Sequence, residues 1–379
     1  MPLNQVRPFS QPSIFIPGLI AERFDEWKKL TADPWVLKQI QGMTIPFVGS
    51  PNQLHVPYIF SLKLSEREKL REELKNMCDL NIIKKVNYTP GQYISNIFTR
   101  PKPDGNVRVI LDLSYFNQEV VEYKHFKMSS LNTALEMMRQ GAWMGSVDLE
   151  KCYYSFSILK EHRKYLRFRW DNILYEYQVL PNGLSSGPRF VTKILSPIFV
   201  HLRKLGIEVF VYIDDTFIIS NSKQKCQEGI NTVLDTLQKL GFFVNFPKSV
   251  LTPTQRITFL GFILDSNTMT VQPTQEKIQK LVHEAQSLLD CPSPTVRQVA
   301  KLVGLMTAYS PSLDYAPLFS KHLEMDKNLG LTKNRGNFDG LMTTCISEKG
   351  KNDILWWINN FPSASKQIKI LIPDFEIFF

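Results

Sequence analysis

Two adjacent aspartates, Asp214 and Asp215, sit where two apolar runs meet in Val209-Phe-Val-Tyr-Ile-Asp-Asp-Thr-Phe-Ile-Ile219. The β-branched and aromatic residues on either side predict two short strands with the acids at the turn between them. A solvated turn is the plain alternative, because aspartate is common in turns. Two-residue hairpin turns, however, favour Asn-Gly or Asp-Gly, and neither is present. Like charges on consecutive residues at the end of buried strands repel unless a cation neutralises them, and hard carboxylate oxygens suit Mg²⁺. By composition alone such a Tyr-x-Asp-Asp tetrapeptide arises in roughly a few per cent of chains of this length. It therefore needs a partner acid and a basic phosphate contact elsewhere in the chain.

Trp143-Met-Gly-Ser-Val-Asp148 supplies the acid: it reads as a strand ending in a carboxylate, with Leu149 to Tyr154 turning away. Beside the Tyr212 hairpin, Asp148 would bring three carboxylates to one sheet edge, enough to hold two Mg²⁺ ions. Alone, Asp148 could equally cap a helix. Residues 96–113 read as strand, turn, strand, with the turn at Pro103-Asp-Gly-Asn106 and with Arg100, Lys102 and Arg108 projecting from one hairpin. Cations near a hairpin tip can clamp a triphosphate, although a soluble charged hairpin looks the same. In Leu180-Pro-Asn-Gly-Leu-Ser-Ser-Gly-Pro-Arg189 the glycines let backbone approach a ligand closely, or serve an ordinary turn into a helix.

The scaffold for these residues is large. A chain of 379 residues with 43% apolar content folds as two or three subdomains. The net charge is +9, with Lys and Arg spread along the whole length. That balance suits a polyanionic partner, or a basic surface with no such role. Cys78, Cys152, Cys226, Cys291 and Cys345 lie far apart, without a Cys-x-x-Cys or a nearby His to complete a zinc set. They read as reduced thiols of an intracellular protein, in the cytoplasm, the nucleus or both. No apolar run approaches a membrane span, and the start of the chain, with Pro2, Pro8, Pro12 and Pro17, lacks a signal-peptide core.

The pattern predicts a helix over Ala21 to Leu30 and a turn at Asp33-Pro34, with Trp27, Leu30, Trp35 and Leu37 packing on the main body. A capping box, Ser65-x-x-Glu68, starts a helix to about Cys78 that has Leu70, Leu74 and Met77 on one face and is assigned no chemistry. Further helices are expected over Ser129 to Gln140, Phe190 to Leu205, and Gln224 to Leu240. The last of these buries Ile230, Val233, Leu234 and Leu237. Phe259 to Leu264 reads as another hairpin arm. Beyond Pro273 come Thr274 to Leu289, Thr295 to Tyr309 and a last helix over 352–360. Lys277, Lys280, Arg297 and Lys301 there could grip a duplex backbone or be solvated helix faces.

Taken together, the ordered motifs from about Leu54 to Ile263 resemble a reverse transcriptase. They are Lys102-Pro-Asp-Gly-Asn-Val-Arg108 with Asp112 and Asn117, Val147-Asp-Leu-Glu-Lys-Cys-Tyr153, Leu180-Pro-Asn-Gly183, Tyr212-Ile-Asp-Asp215 and Phe259-Leu-Gly-Phe262. The flanks Trp27-Lys-Lys-Leu-Thr-Ala-Asp-Pro-Trp35 and Asn182-Gly-Leu-Ser-Ser-Gly-Pro-Arg189 look more like DIRS-type, tyrosine-recombinase retrotransposons than retroviruses. The resemblance implies an α+β right-hand polymerase of fingers, palm and thumb, with an antiparallel palm sheet backed by helices. It places an N-terminal extension at 1–53, fingers at 54–121 and 156–186, and palm at 122–155 and 187–268. The thumb falls at 269–330, and 331–379 is a connection whose last segment, Ile372 to Phe379, resembles the first strand of a truncated RNase H domain.

The implied activity is attack of a primer 3′-hydroxyl on the α-phosphate of a dNTP, on an RNA or DNA template, with two Mg²⁺ ions or Mn²⁺ in their place. By the same resemblance Asp148, Leu149, Asp214 and Asp215 hold the metals, and Lys248 protonates the departing pyrophosphate. Lys102, Arg108, Lys151, Cys152, Tyr153 and Asn182 bind the dNTP, with Arg100 competing for the place of Lys102. Tyr153 would underlie the deoxyribose and exclude a 2′-hydroxyl. Asn182 stands where retroviral enzymes carry Gln, and Cys152 where they carry Ala. Phe259, Leu260, Gly261 and Phe262 would form the primer grip. No membrane partner is expected, and the oligomeric state stays open. Two other classes remain: a catalytically idle nucleic-acid-binding remnant of a truncated element, and a structural subunit supporting another polymerase chain.

Overall fold

A computed structural model describes residues 14–53, 64–102, 105–342 and 346–369; of Leu64 and Ser65 it describes the backbone alone. The apex of the first hairpin, Cys345 and the RNase H-like strand at Ile372 to Phe379 lie outside the described residues, as do Pro2, Pro8 and Pro12. In chain order the first half contains α1 (Leu19–Glu22), α2 (Phe24–Leu30), α3 (Pro34–Gln41), α4 (Leu64–Asp79), β1 (Ile83–Lys85), β2 (Ile94–Pro101), β3 (Val107–Asp112), α5 (Ser114–Glu119), α6 (Leu131–Glu136), β4 (Trp143–Asp148), α7 (Lys160–Arg163), β5 (Arg167–Trp170) and β6 (Ile173–Tyr177). There follow α8 (Gly187–Lys204), β7 (Glu208–Tyr212), β8 (Asp215–Ser220), α9 (Lys223–Lys239), β9 (Val250–Thr254), β10 (Arg256–Phe259), β11 (Phe262–Asp265), β12 (Thr270–Pro273), α10 (Gln275–Leu289), α11 (Val296–Tyr309), α12 (Lys321–Lys333), α13 (Glu348–Asn360) and β13 (Lys366–Gln367). The chain divides into two compact units: 1–129, 146–218 and 227–251 form the first, and 130–145, 219–226 and 252–379 the second.

In the first unit a five-stranded sheet has the order β1-β6-β5-β2-β3. It is antiparallel except where β2 lies parallel to β5. The expected strand-turn-strand forms as the β2–β3 hairpin, which pairs Arg100 with Arg108. A second sheet, β7-β8-β4-β9, carries the three aspartates. The N-terminal segment is integrated with this unit. Trp27 is wholly buried, and its indole N–H donates to the Leu240 carbonyl at 3.1 Å. Phe15 packs on Phe243 with ring centroids 5.0 Å apart. The expected single helix over Ala21 to Leu30 is instead two, parted at Arg23. The expected turn at Asp33-Pro34 is the start of α3: the Asp33 carboxylate accepts from the Trp35 and Val36 amides, and Pro34 takes the first helical turn, where its missing N–H costs nothing.

In the second unit β10-β11-β12-β13 form an antiparallel sheet beside helices α10 to α13. Phe259 to Leu264 is a complete hairpin turn and not one arm, because Phe259 pairs with Phe262 across Leu260 and Gly261. Helix α11 starts on a capping box made by Thr295 and Gln298. Helix α6 stops at Glu136, short of the expected Gln140, because the following residues fold back: the Gly141 amide donates to the Ser266 carbonyl, and the Ser266 hydroxyl to the Ala142 carbonyl. Helix α12 was not predicted. Its apolar residues form no stripe; Leu323 is buried while Met325 and Leu329 are exposed. Its N-terminus is held from outside by buried Asp353, whose carboxylate accepts from the His322 and Leu323 amides.

Candidate active site

Strand β4 lies beside β8, which sets Asp148 at the sheet end where the β7–β8 turn carries Asp214 and Asp215. That turn is Ile213-Asp214, and Ile213 has a φ of 55°. A β-branched residue in the left-handed region is strained, at a cost of about 1–3 kcal/mol. The turn is pinned from β4, since the Leu149 amide donates to the Asp214 carbonyl at 3.1 Å. The strand is pinned in turn by the Ser249 hydroxyl, which accepts from the Asp148 amide at 3.0 Å, and by the Asn245 amide, which donates to the Asp148 carbonyl at 2.8 Å. Asp148 is thus a strand-end acid and not a helix cap.

All three carboxyls are pushed up, in each case first by burial. Asp215 rises to about 7, the charges of Asp214 and Asp148 adding to burial, and it hydrogen-bonds Asp148. The Lys248 ammonium pulls all three the other way. Among the described residues no three acids, histidines or cysteines already converge as a closed ion cage. The mutual repulsion and the donor chemistry nonetheless fit a divalent cation, which prefers carboxylate oxygen and would relieve the strain between like charges.

Asp148, Leu149 and Asp214 line a cavity of ≈ 330 Å³, and Lys102, Arg108, Lys151, Cys152, Tyr153, Asn182 and Lys248 line it with them. Asp215 is not on its wall. Arg100 is not either; its guanidinium lies 5.6 Å over the Phe98 ring, so Lys102 is the cation that the hairpin brings to the cavity beside Arg108. Lys151 has a φ of 49°, pairs with Glu150 at 2.9 Å and lies 4.9 Å over the Phe15 ring. Cys152 is buried, and burial, then the charges of Asp214 and Asp148, push its thiol well up, which makes it wall and not nucleophile.

The glycine-rich loop serves packing as well as approach. A Cβ on Gly187 would lie 3.1 Å from the Tyr153 ring, and one on Gly183, at φ +105°, would lie 2.8 Å from the Leu111 carbonyl oxygen. Asn117 clamps the loop: its amide donates to the Gly183 carbonyl at 2.7 Å and its oxygen accepts from the Ser185 amide at 2.9 Å. The Asn182 side chain bonds the Tyr154 hydroxyl. Tyr154, Asn245 and Glu73 were not anticipated as site residues. Glu73 comes from α4, the helix assigned no chemistry, and pairs with Lys102 at 3.2 Å. Nothing in the pattern of α4 distinguishes Glu73 from its solvated acids.

Phe259, Leu260, Gly261 and Phe262 belong to the second unit. The Lys277 ammonium, expected either to grip a duplex backbone or to lie on a solvated helix face, lies 4.5 Å from the Phe262 ring centre and 4.4 Å from that of Tyr309. Burial, then Lys280, lowers its pKa. Arg297 pairs with Asp339, and Lys301 with Glu284, while Lys280 is exposed.

Residues 100–264 match the family Reverse transcriptase (RNA-dependent DNA polymerase). The Retrovirus-related Pol polyprotein from transposon opus of Drosophila melanogaster is 23% identical over 255 residues, 66% of this chain and 24% of the polyprotein. The Transposon Tf2-3 polyprotein of Schizosaccharomyces pombe is 22% identical over 266 residues, 68% of this chain and 19% of that one. The chain thus spans about a quarter or less of the length of these curated relatives. Among solved structures, the foamy viral protease-reverse transcriptase in complex with dsDNA aligns with a TM-score of 0.65 at 17% identity, covering 96% of this chain and 75% of that one. Its counterpart in complex with RNA/DNA hybrid gives 0.62 at 16%, covering 93% and 48%. The fold is therefore that of a right-hand polymerase, α+β with antiparallel sheets. Within it lies a reverse transcriptase domain of the retrotransposon and retroviral type. Among the described residues no helix is long and apolar enough to cross a membrane.

Proposed function

We propose that this chain is the RNA-directed DNA polymerase of a retrotransposon, adding nucleotides from dNTPs to a primer 3′-hydroxyl on an RNA or DNA template. The observation that carries this is one cavity lined by Asp148, Asp214, Lys102, Arg108 and Tyr153, residues drawn from separate motifs. Its titratable wall holds four cations, Lys102, Arg108, Lys151 and Lys248, against four acids, Glu73, Asp148, Glu150 and Asp214. Net charge alone therefore does not draw in a polyphosphate, and a divalent cation carried with it, Mg²⁺ by this proposal, would tip the balance.

Asp148, Asp214 and Asp215, with the Leu149 backbone, would hold two such ions, which lower the barrier by stabilising charge on the attacking and leaving oxygens. Lys102 and Arg108 bind and orient the phosphates. Tyr153, packed against Gly187, forms the floor under the sugar and disfavours a 2′-hydroxyl. Asn182 is directed by its bond to Tyr154. Lys248, whose charge reaches all three acids, would give a proton to the leaving group.

Fingers at 54–121 and 156–186 would contain the whole β1-β6-β5-β2-β3 sheet, and palm at 122–155 and 187–268 the whole β7-β8-β4-β9 sheet. Helices α10 and α11 belong to the thumb at 269–330. The flanking motifs Trp27 to Trp35 and Asn182 to Arg189 support a DIRS-type element, which a tyrosine recombinase encoded beside this gene would test. Primer extension on an RNA template with Mg²⁺ tests the activity. Asp148→Asn and Asp214→Asn should each lose on the order of 10³-fold or more in rate, the several kcal/mol that metal-bound charge stabilisation supplies. Equal extension by wild type and these variants would remove the acids from the mechanism.

A further inference from the structure

Helix α4 meets the nucleotide cavity with Glu73, an acid that no step of the proposed transfer uses. Glu73 and Lys69 stand four residues apart, hence on one helix face. Both hold the β2–β3 hairpin: the Lys69 ammonium donates to the Gly105 carbonyl at 2.8 Å, and the Glu73 carboxylate takes the Lys102 ammonium at 3.2 Å. The ion pair is sheltered, its side chains 21% and 28% exposed, unlike the solvated pairs elsewhere on the surface. The Glu73 charge also reaches inward: after burial, it is the next cause that pushes the Tyr154 hydroxyl up to about 12, and Tyr154 is the residue bonded to Asn182.

We propose that Glu73 is a positioning residue that competes with substrate, holding the Lys102 ammonium with a carboxylate where the reaction needs it on a polyphosphate. The inference rests on the proposed nucleotide-binding role of the cavity. A ligand that gains Lys102 must displace Glu73, so the exchange of one anion for another yields little by itself. Binding then depends on reaching Arg108 and the acid-bound metal at the same time, which favours a triphosphate over a single phosphate. Loss of the Glu73 charge should tighten polyphosphate binding and relax that preference.

The test is calorimetric binding of inorganic tripolyphosphate, with Mg²⁺, to the full chain, a probe that needs neither template nor chemistry. Glu73→Gln and Glu73→Ala should each bind about three- to tenfold more tightly than wild type, the worth of a sheltered ion pair. The gain should vanish when either substitution is added to Lys102→Ala. Melting curves establish that each variant is folded, and Glu73→Ala stands in should Glu73→Gln not be. In primer extension the dNTP KM should fall by the same factor with kcat unchanged. Unchanged or weaker tripolyphosphate binding in the folded variants, or a gain that persists without Lys102, overturns the inference. Tighter binding in a chain whose wild type extends no primer would sink the polymerase proposal and leave the role of Glu73 standing.

Discussion

At the β7–β8 turn Ile213 takes a φ of 55° and Asp214 follows it, whereas at the β10–β11 turn Leu260 at 48° is followed by Gly261 at 73°. Both loops are two residues long and both demand a left-handed residue. In the second, glycine accepts that conformation, and its missing side chain leaves the space through which the Lys277 stem passes to reach Phe262 and Tyr309. In the first there is no glycine. An isoleucine bears the strain and two carboxylates repel at the same point, with Leu149 and Ser249 holding the backbone in place. The two turns therefore hold unfavourable local energy to different degrees. Like charge, and a β-branched residue in the left-handed region with no glycine beside it, collect at the turn that faces the cavity, while the other turn shares that conformation between Leu260 and a glycine.

The largest contrast should appear in pH dependence. Asp215 titrates near 3.8 when unperturbed and about 7 in the fold, so between those values the native state binds the extra proton. Its contribution to stability is then full below about pH 4 and lost as pH rises through about 7. The melting temperature of the metal-free protein should fall across that window, Asp215→Asn should flatten the decline, and saturating Mg²⁺ should reverse it at pH 7 to 8. Parallel profiles for wild type and variant would mean that the carboxyls do not repel as their placement requires.

A middle-sized effect is expected at the other turn. Gly261→Ala puts a methyl group into the Lys277 side chain at a positive φ and should destabilise by about 2 kcal/mol. Chemical denaturation checks this, and Lys277→Ala in the same chain should restore part of the loss. An unaltered denaturation midpoint would show that the lysine stem moves aside freely. The smallest effect belongs to Ile213→Asn. Asparagine tolerates the left-handed region, so stability should rise by about 0.5–1 kcal/mol while primer extension slows, because the acids lose their rigid support. Equal or lower stability in that variant would remove strain from the account of the β7–β8 turn.

Much of the site was legible because it is written in short segments. The two apolar runs around Asp214, the strand ending at Asp148 and the β2–β3 hairpin each follow from short stretches of strand-forming residues bounded by turns, and all three form. The helix expected from Thr295 forms as α11, its start closed by a capping box between Thr295 and Gln298, a contact within four residues. Helix α12 gave no such signal, since its start depends on Asp353 from another helix. Lys277 looked like any helix-face lysine, and only the approach of Phe262 and Tyr309 shows that its charge is engaged.

By itself the sequence determined which residues could do the chemistry and the local elements that carry them, because strand alternation, turns and caps depend on neighbours a few positions apart. Only the tertiary structure decided that Lys102 and not Arg100 lines the cavity, that Asn182 answers to Tyr154, that Asn117 clamps the Gly183 loop and that Glu73 holds Lys102. It also decided that Asp215 titrates near 7. Ion pairs, hydrogen bonds and desolvation act through space, between residues brought together from tens of positions apart, and no local pattern encodes those distances.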